Sequence, residues 1–376
     1  MQSPSNTQQT KSKLRHWLSD ALFTGRSAAD YFAPLIQAID PDWAPGRTLA
    51  TIESTHDETS DSKTFILRPH TSWKGFEAGQ HVAIEIDIHG LNTVRTFTIA
   101  STPAHLAKTG TVALTIKRNP EGRVTSYLFD ELRVGTRVGI SAATGKFLLP
   151  EQHDQTLLYL AAGSGITPVM SHLRKLVEDH FPIPVTLIYY ASHKQDHIFL
   201  QELQTIAKAC ARFKLFLVNT REENSRATLQ GRIEASHIQT ALADRKPTQV
   251  YICGPQGFDE SARNALETCI APNTSIVSEH FGGLVAKHGD SSVHQVRLRN
   301  SERILDASAQ TTLLDTAEQN GLRPQAGCRM GICHTCKCKK TEGRVRNLVT
   351  GEVSDAGEEM IQLCITTPET DITLEL

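Results

Sequence analysis

The sequence lacks most of the marks that would assign it quickly to a class. Neither sign of charge dominates: 39 Lys and Arg face 41 Asp and Glu in 376 residues, a formal net charge of −2. That excludes a strong global attraction to nucleic acid. No apolar run approaches the roughly 20 residues needed to span a bilayer. The opening stretch, MQSPSNTQQTKSK, has no apolar centre of the kind a secretory signal carries. A cytoplasmic protein is the expectation, with contact at the inner face of a membrane left open through the leader or a partner. Eight cysteines in a chain of this length are no disulfide framework, and their clustering argues for a reducing compartment. No catalytic triad, paired-carboxylate motif, internal repeat or low-complexity tract stands out. What is present is ordinary globular composition, 39% hydrophobic and 21% charged, at a length that suits two or three domains.

The strongest positive signal is four cysteines, Cys328, Cys333, Cys336 and Cys364, spaced C-x4-C-x2-C and then, after a long interval, C. This is the ligand pattern of a plant-type [2Fe-2S] cluster. Gly327 and Gly331 fit it, because backbone amides must approach the cluster sulfides closely. A structural zinc site is the alternative, but it usually pairs two C-x2-C knuckles and only one is present. Cys338 falls outside the four-ligand pattern and has no assigned role. Lys337, Lys339 and Lys340 follow the third cysteine. A solvated strand end is the favoured reading of these lysines, ahead of a docking patch for an acidic partner.

Periodicity divides the rest. Residues 1–46 form a leader, in which Leu14, Trp17, Leu18, Ala21 and Leu22 fall at helical spacing behind Lys11, Lys13 and Arg15. A helix packed on the protein itself is favoured over a membrane-surface or partner-docking helix. Residues 47–150 read as strands at 64–67, 82–88, 96–99 and 112–116 without long helices between them, hence an antiparallel β-barrel. Residues 151–284 alternate apolar strands (157–161, 185–190, 213–218, 250–253) with helices (168–179, 199–211, 259–268), the pattern of a parallel α/β sheet. A linker is expected over 285–292. Residues 293–376 form a strand-rich unit carrying the cysteines.

Two motif sets lie in the first two segments. Arg95-Thr96-Phe97-Thr98 offers a cation for phosphate, an aromatic ring on the same strand face and a hydroxyl; Gly122 to Ser126 follows. Ala161-Ala162-Gly163-Ser164-Gly165-Ile166-Thr167-Pro168 ends a strand and opens a helix, where free amides and the helix dipole favour a phosphate. It is not a complete G-x-G-x-x-G element, since Pro168 stands at the third glycine. Cys253-Gly254-Pro255 ends a further parallel strand, at the sheet edge where ligands of such folds collect. A buried cysteine and a tight turn would look the same.

Together and in this order, these motifs resemble the ferredoxin–NADP reductase superfamily over residues 47–376. The closer resemblance is to single-chain members with a C-terminal ferredoxin domain of β-grasp-like α+β fold. The resemblance implies FAD, favoured over FMN, bound by Arg95, Thr96, Phe97, Thr98, Gly122, Val124, Thr125 and Ser126. The family more often has R-x-Y-S, so Phe97 and Thr98 are mild departures. It implies a nicotinamide nucleotide on Gly163, Ser164, Gly165, Thr167, Pro168, Cys253, Gly254, Pro255 and Phe281. Thr98, Cys253 and Glu279 would flank the hydride-transfer centre. Cys328, Cys333, Cys336 and Cys364 would hold the cluster. Ser192, His193 and Lys194, with Arg221 nearby, offer cationic and hydroxyl donors to a 2′-phosphate, so NADPH is preferred to NADH. The implied activity is an NAD(P)H:acceptor oxidoreductase feeding a terminal oxygenase or desaturase metalloenzyme. The leader looks most like reductase partners of membrane acyl-CoA desaturases. Reductases of ring-hydroxylating, ketosteroid or epoxidase systems are the alternative, as are a stand-alone diaphorase, flavin or ferric reductase and a non-enzymatic redox sensor.

Overall fold

The computed structural model describes residues 43–44, 47–88, 91–119, 122–151, 155–221, 229–243, 245–281, 292–327, 329, 331 and 335–376. The leader helix expected before residue 43 lies outside these residues. Three sheets follow one another along the chain.

The first comprises β1 (Trp43–Ala44), β2 (Arg47–Thr59), β3 (Ser62–Pro69), β4 (His81–Ile88), β5 (Leu91–Thr98), β6 (Val112–Lys117) and β7 (Arg137–Ile140), in the order β5-β4-β7-β2-β3-β6 with β1 on β2. Every pairing is antiparallel. An Ile99–Leu114 bridge and the Ala100 amide on the Ala113 carbonyl at 2.8 Å join the two ends, so the sheet closes as a barrel. Two helices inside the segment were not anticipated. α1 (Pro103–Thr109) is capped by the Thr102 hydroxyl, which accepts from the His105 amide at 3.0 Å. α2 (Arg123–Asp130) buries Val124 and Leu128, one turn apart, in the barrel core. At seven and eight residues, both helices are too short to register as a sustained period.

The second sheet holds β8 (Leu157–Ala162), β9 (Val185–Ala191), β10 (Phe213–Asn219), β11 (Gln249–Gly254) and β12 (Ser275–His280), parallel throughout in the order β10-β9-β8-β11-β12. Its central strands are apolar on both faces because both are covered. α3 (Ile166–Glu178) and α4 (Leu200–Ala209) pack over Leu157, Tyr159 and Ala161. α5 (Ala235–Leu242) and α6 (Gln256–Leu266) pack over Leu158 and Leu160. The direction of strand succession reverses between β8 and β11, which opens a crevice at their C-terminal ends.

The third sheet is mixed: β13 (Val293–Leu298), β14 (Arg303–Ser308), β15 (Lys337–Glu342), β17 (Glu359–Gln362) and β19 (Ile372–Leu374), ordered β14-β13-β19-β15-β17. β13 and β19 are parallel and the other pairs antiparallel. β16 (Val345–Asn347) and β18 (Thr366–Pro368) form a separate ribbon. α7 (Leu313–Gln319) packs Leu313, Leu314 and Ala317 into this core, and its cap, Thr312, accepts from the Asp315 amide at 3.1 Å. One helix against a mixed sheet matches the expected α+β, β-grasp-like unit. Among the described residues no helix is long and apolar enough to cross a membrane.

Candidate active site and electron-transfer centre

The barrel and the parallel sheet meet along a buried polar seam. The Ser171 hydroxyl donates to the Ser101 carbonyl at 2.7 Å and accepts from the Gly79 amide at 3.2 Å. His172 Nε2 lies 3.1 Å from the Phe147 carbonyl and Nδ1 lies 3.0 Å from the Tyr159 hydroxyl. Because a carbonyl can only accept, the Nε2 proton donates to Phe147 and Nδ1 accepts from Tyr159. Burial, partly offset by the Phe147 and Ala78 carbonyls, lowers the His172 pKa to about 4. Arg174 adds a bond to the Ala100 carbonyl at 2.8 Å.

At one end of this seam the three residues expected at the reacting centre come together. Thr98, buried on β5, stands opposite His81 on β4. His81 Nδ1 lies 3.0 Å from Glu279 Oε1, and Glu279 is the register partner of Cys253. The chain Thr98, His81, Glu279, Cys253 therefore runs from barrel to parallel sheet. His81 was not anticipated, since a single histidine beginning a strand carries no local signal. Among the described residues the second Glu279 oxygen is buried without a hydrogen-bond partner, which leaves it able to accept from an incoming group. Burial, with the Glu279 and Asp259 carboxylates adding to it, raises the Cys253 pKa well above the ordinary thiol value. Cys253 is thus a neutral thiol at physiological pH.

The glycine turn occupies the sheet crevice. Gly163–Gly165 forms a short 3-10 turn leading into α3, so the helix begins two residues before the expected Pro168. A Cβ on Gly165 would lie 2.1 Å from the Cys253 carbonyl oxygen, so only glycine allows this turn to touch β11. At Gly163 (φ +55°) the same atom would meet nothing within 4 Å, consistent with open space above the turn. Thr167 donates to the Ser164 carbonyl at 3.0 Å, and Tyr189 donates to the Gly163 carbonyl at 3.0 Å. Gly254 sits against Phe258 and Ala162, and Phe281 donates its amide to the Gly254 carbonyl at 3.0 Å. Beyond β9, Asp196 accepts from the His193 amide at 3.0 Å and lies 3.0 Å from its Nδ1. The Arg221 amide donates to the Ser192 carbonyl at 3.1 Å, which draws Arg221 to the Ser192–Lys194 segment.

In the barrel, alternation places Arg95 and Phe97 on one strand face, both half-buried. An Arg95 Nη1 donates to the neighbouring Val94 carbonyl at 2.8 Å. Gly122 caps α2. The Thr125 hydroxyl accepts from the Asn119 amide at 3.0 Å and lies 3.2 Å from the Asn119 and Gly122 carbonyls, closing the turn. Val124 is directed into the core, so it can reach a ligand only through its backbone. The first-turn amides of α2 before Ser126, whose own amide donates to the Gly122 carbonyl at 3.0 Å, are donors suited to a pyrophosphate.

For the cluster, Cys328 and Cys333 lie outside the described residues. Cys336 and Cys364 are 3% and 4% exposed and in mutual hydrogen-bond contact. That contact is the first cause of a Cys336 pKa lowered to about 6, so thiolate is readily available there. The Leu363 amide donates to the Cys336 carbonyl at 3.1 Å, tying the two ligand segments together. The loop is held at two further points. Arg329 pairs with Asp315 at 3.3 Å and with Glu318 on α7. Gln362 Nε2 donates to the Gly331 carbonyl at 2.7 Å. Gly331 (φ +77°) lies where a Cβ would come within 2.7 Å of Ile365. Two buried, adjacent sulfurs brought together from separate segments fit two of the positions of a four-thiolate cluster. One expectation fails here: Lys340 is no part of a solvated strand end but is wholly buried, whereas Lys337 is exposed.

Comparison with known proteins agrees with this geometry. Family models for an oxidoreductase FAD-binding domain, an oxidoreductase NAD-binding domain and a 2Fe-2S iron-sulfur cluster binding domain match residues 49–148, 159–264 and 296–369. An NADPH oxidoreductase of Mycobacterium tuberculosis is 30% identical over 338 residues, 90% of this chain and 86% of that one. The glycine betaine monooxygenase reductase subunit of Chromohalobacter salexigens is 26% identical over 357 residues, 89% and 96% of the two chains. In fold, phthalate dioxygenase reductase superposes with a TM-score of 0.61 at 20% identity, covering 88% of this chain and 98% of that one. The chain belongs to the ferredoxin–NADP reductase superfamily, among its single-chain members that join FAD-binding, NAD-binding and [2Fe-2S] domains. It is an electron-transfer oxidoreductase of the kind that serves oxygenase systems.

Proposed function

We propose that the protein takes electrons from NADPH and delivers them singly to a partner metalloenzyme, a membrane acyl-CoA desaturase being the first choice of acceptor. The observation that carries the reading is the crevice itself. The Gly163–Gly165 turn touches Cys253, Cys253 pairs with Glu279, and Glu279 reaches His81 beside Thr98 on the flavin-binding barrel. Bound flavin supplies hydride acceptance and the cluster supplies one-electron acceptance, which together convert a two-electron donor to a one-electron output.

The residues of the chain bind and orient. Arg95 and the first turn of α2 would take the FAD phosphates, Phe97 the ring face, and Thr98 a ring nitrogen. Gly163 to Pro168 would take the nucleotide pyrophosphate. The neutral Cys253 and the open oxygen of Glu279 would line the nicotinamide side and exclude water from it. NADPH is preferred because Asp196, the acid that a ribose diol would need, is already engaged by His193. Ser192, His193, Lys194 and Arg221 would supply hydroxyl and cationic groups to a 2′-phosphate. The relative named as an NADPH oxidoreductase supports this.

The desaturase reading stands on the leader sequence alone. A soluble oxygenase acceptor is the second reading, favoured by the relatives named as reductase components of glycine betaine and 3-ketosteroid monooxygenases. Anaerobic titration with NADPH and with NADH, followed in the visible spectrum, tests the donor. NADPH should bleach flavin and cluster together, and Cys364→Ser should confine bleaching to the flavin. Bleaching by NADH alone would overturn the donor assignment. Reconstitution with desaturase-containing membranes and with a soluble oxygenase then separates the two acceptors.

A further inference from the structure

Lys340 is 0% exposed, among the largest fully buried side chains of the molecule. Its Nζ donates to the carbonyls of Gly343 at 2.9 Å, Asp355 at 2.9 Å and Gly357 at 2.5 Å. An ammonium has three protons and no lone pair, so three carbonyl acceptors match its charged form. No ion pair reaches Lys340 among the described residues. Lys339 beside it, by contrast, pairs with Glu358 at 2.9 Å and with Glu375 at 3.5 Å. A cation buried without a counter-ion is costly, and a neutral side chain of similar length would fill the same core space. The chain nevertheless places a lysine here.

The placement supplies a reason. Lys340 lies on β15, which begins directly after Cys336, and β15 pairs with β17, which leads directly to Cys364. Cys336, Cys338 and Lys340 alternate onto one buried side of this strand. A [2Fe-2S] centre with four thiolates is a dianion when oxidised and a trianion when reduced, and its potential responds to nearby charge. We infer that Lys340 is the internal counter-charge of the cluster, which raises its reduction potential and favours electron transfer onto it.

The inference rests on the cluster-binding reading of this sheet, and the test separates the two. At roughly 13 Å, four residues of strand, and an effective dielectric of about 20, one charge shifts a one-electron equilibrium by about tenfold. That corresponds to 59 mV. Potentiometric titration, with the reduced cluster read by electron paramagnetic resonance, should therefore give a lower cluster potential in Lys340→Met and Lys340→Gln. The charge-conserving Lys340→Arg should stay near wild type, and the flavin potential should not move in any of them. An unchanged cluster potential in a neutral variant that retains its cluster overturns the inference. So does an equal drop in Lys340→Arg. If the neutral variants fail to load the cluster while Lys340→Arg loads it, the charge requirement is upheld. Loss in all three assigns Lys340 to loop geometry and overturns the inference. Absence of a cluster from the wild-type protein would instead refute the reading beneath it.

Discussion

At the scale of single residues, His81 bears most directly on the reaction. It reaches from the barrel to Glu279, 198 positions further on, and stands opposite Thr98 on the neighbouring strand. It holds a carboxylate whose other oxygen is buried without a hydrogen-bond partner, so it positions the site without needing to touch the reacting atoms. Removing the imidazole leaves that carboxylate unrestrained and poorly satisfied. His81→Ala is expected to slow flavin reduction by NADPH on the order of tenfold. His81→Gln, whose amide can still donate to Glu279, should recover part of the loss. Stopped-flow flavin bleaching reads the rate, and wild-type rates in the alanine variant would remove His81 from this role. Nothing local in the sequence marks His81, because its partner is supplied by a strand of another sheet. Cys253 was singled out by its place at the end of an expected parallel strand, whereas Glu279 was singled out by family resemblance alone, its strand β12 not having been expected.

At the scale of elements, the turn between β8 and α3 depends on one glycine. Gly165→Ala would drive a methyl group into the backbone of Cys253, which cannot swing aside as a side chain would. The turn must then lift from β11, carrying with it the amides proposed to bind the pyrophosphate. The expected outcome is a KM for NADPH raised by about tenfold or more, with flavin and cluster content unchanged. Steady-state kinetics alongside cofactor quantification check this, and an unaltered KM would show that the turn tolerates the displacement. The core strands of the parallel sheet were legible because each is a short apolar run bounded by turn residues. α1 and α2 were not legible as helices, although the Thr102-Pro103 start of α1 is a recognisable cap. The buried Lys340 was misread for a related reason. A lysine next to another lysine looks solvated unless the carbonyl cage built by residues 343–357 is known.

At the scale of the whole molecule, barrel and parallel sheet are locked together by groups that cannot accept charge freely. His172 has a folded pKa near 4 against an unfolded value near 6.5. Between these values the unfolded chain binds the extra proton, so stability rises with pH over this window. The contribution is complete above about pH 6.5 and is lost as pH falls toward 4, on the order of 3 kcal/mol in all. Thermal unfolding from pH 7 to pH 4 should show this slope, and His172→Gln should flatten it. A slope unchanged in that variant would place the acid sensitivity elsewhere. By itself, the sequence determined the order of the three units and the parallel character of the second, and its cysteine spacing is what the proposed cluster ligand set rests on. Those features are written in short-range spacing: strand period, glycine turns and cysteine intervals. Only the tertiary structure decided which residues meet across the seam and which charge is buried. The contacts of His81 with Glu279, Gly165 with Cys253, and Lys340 with its three carbonyls join positions that no local period relates.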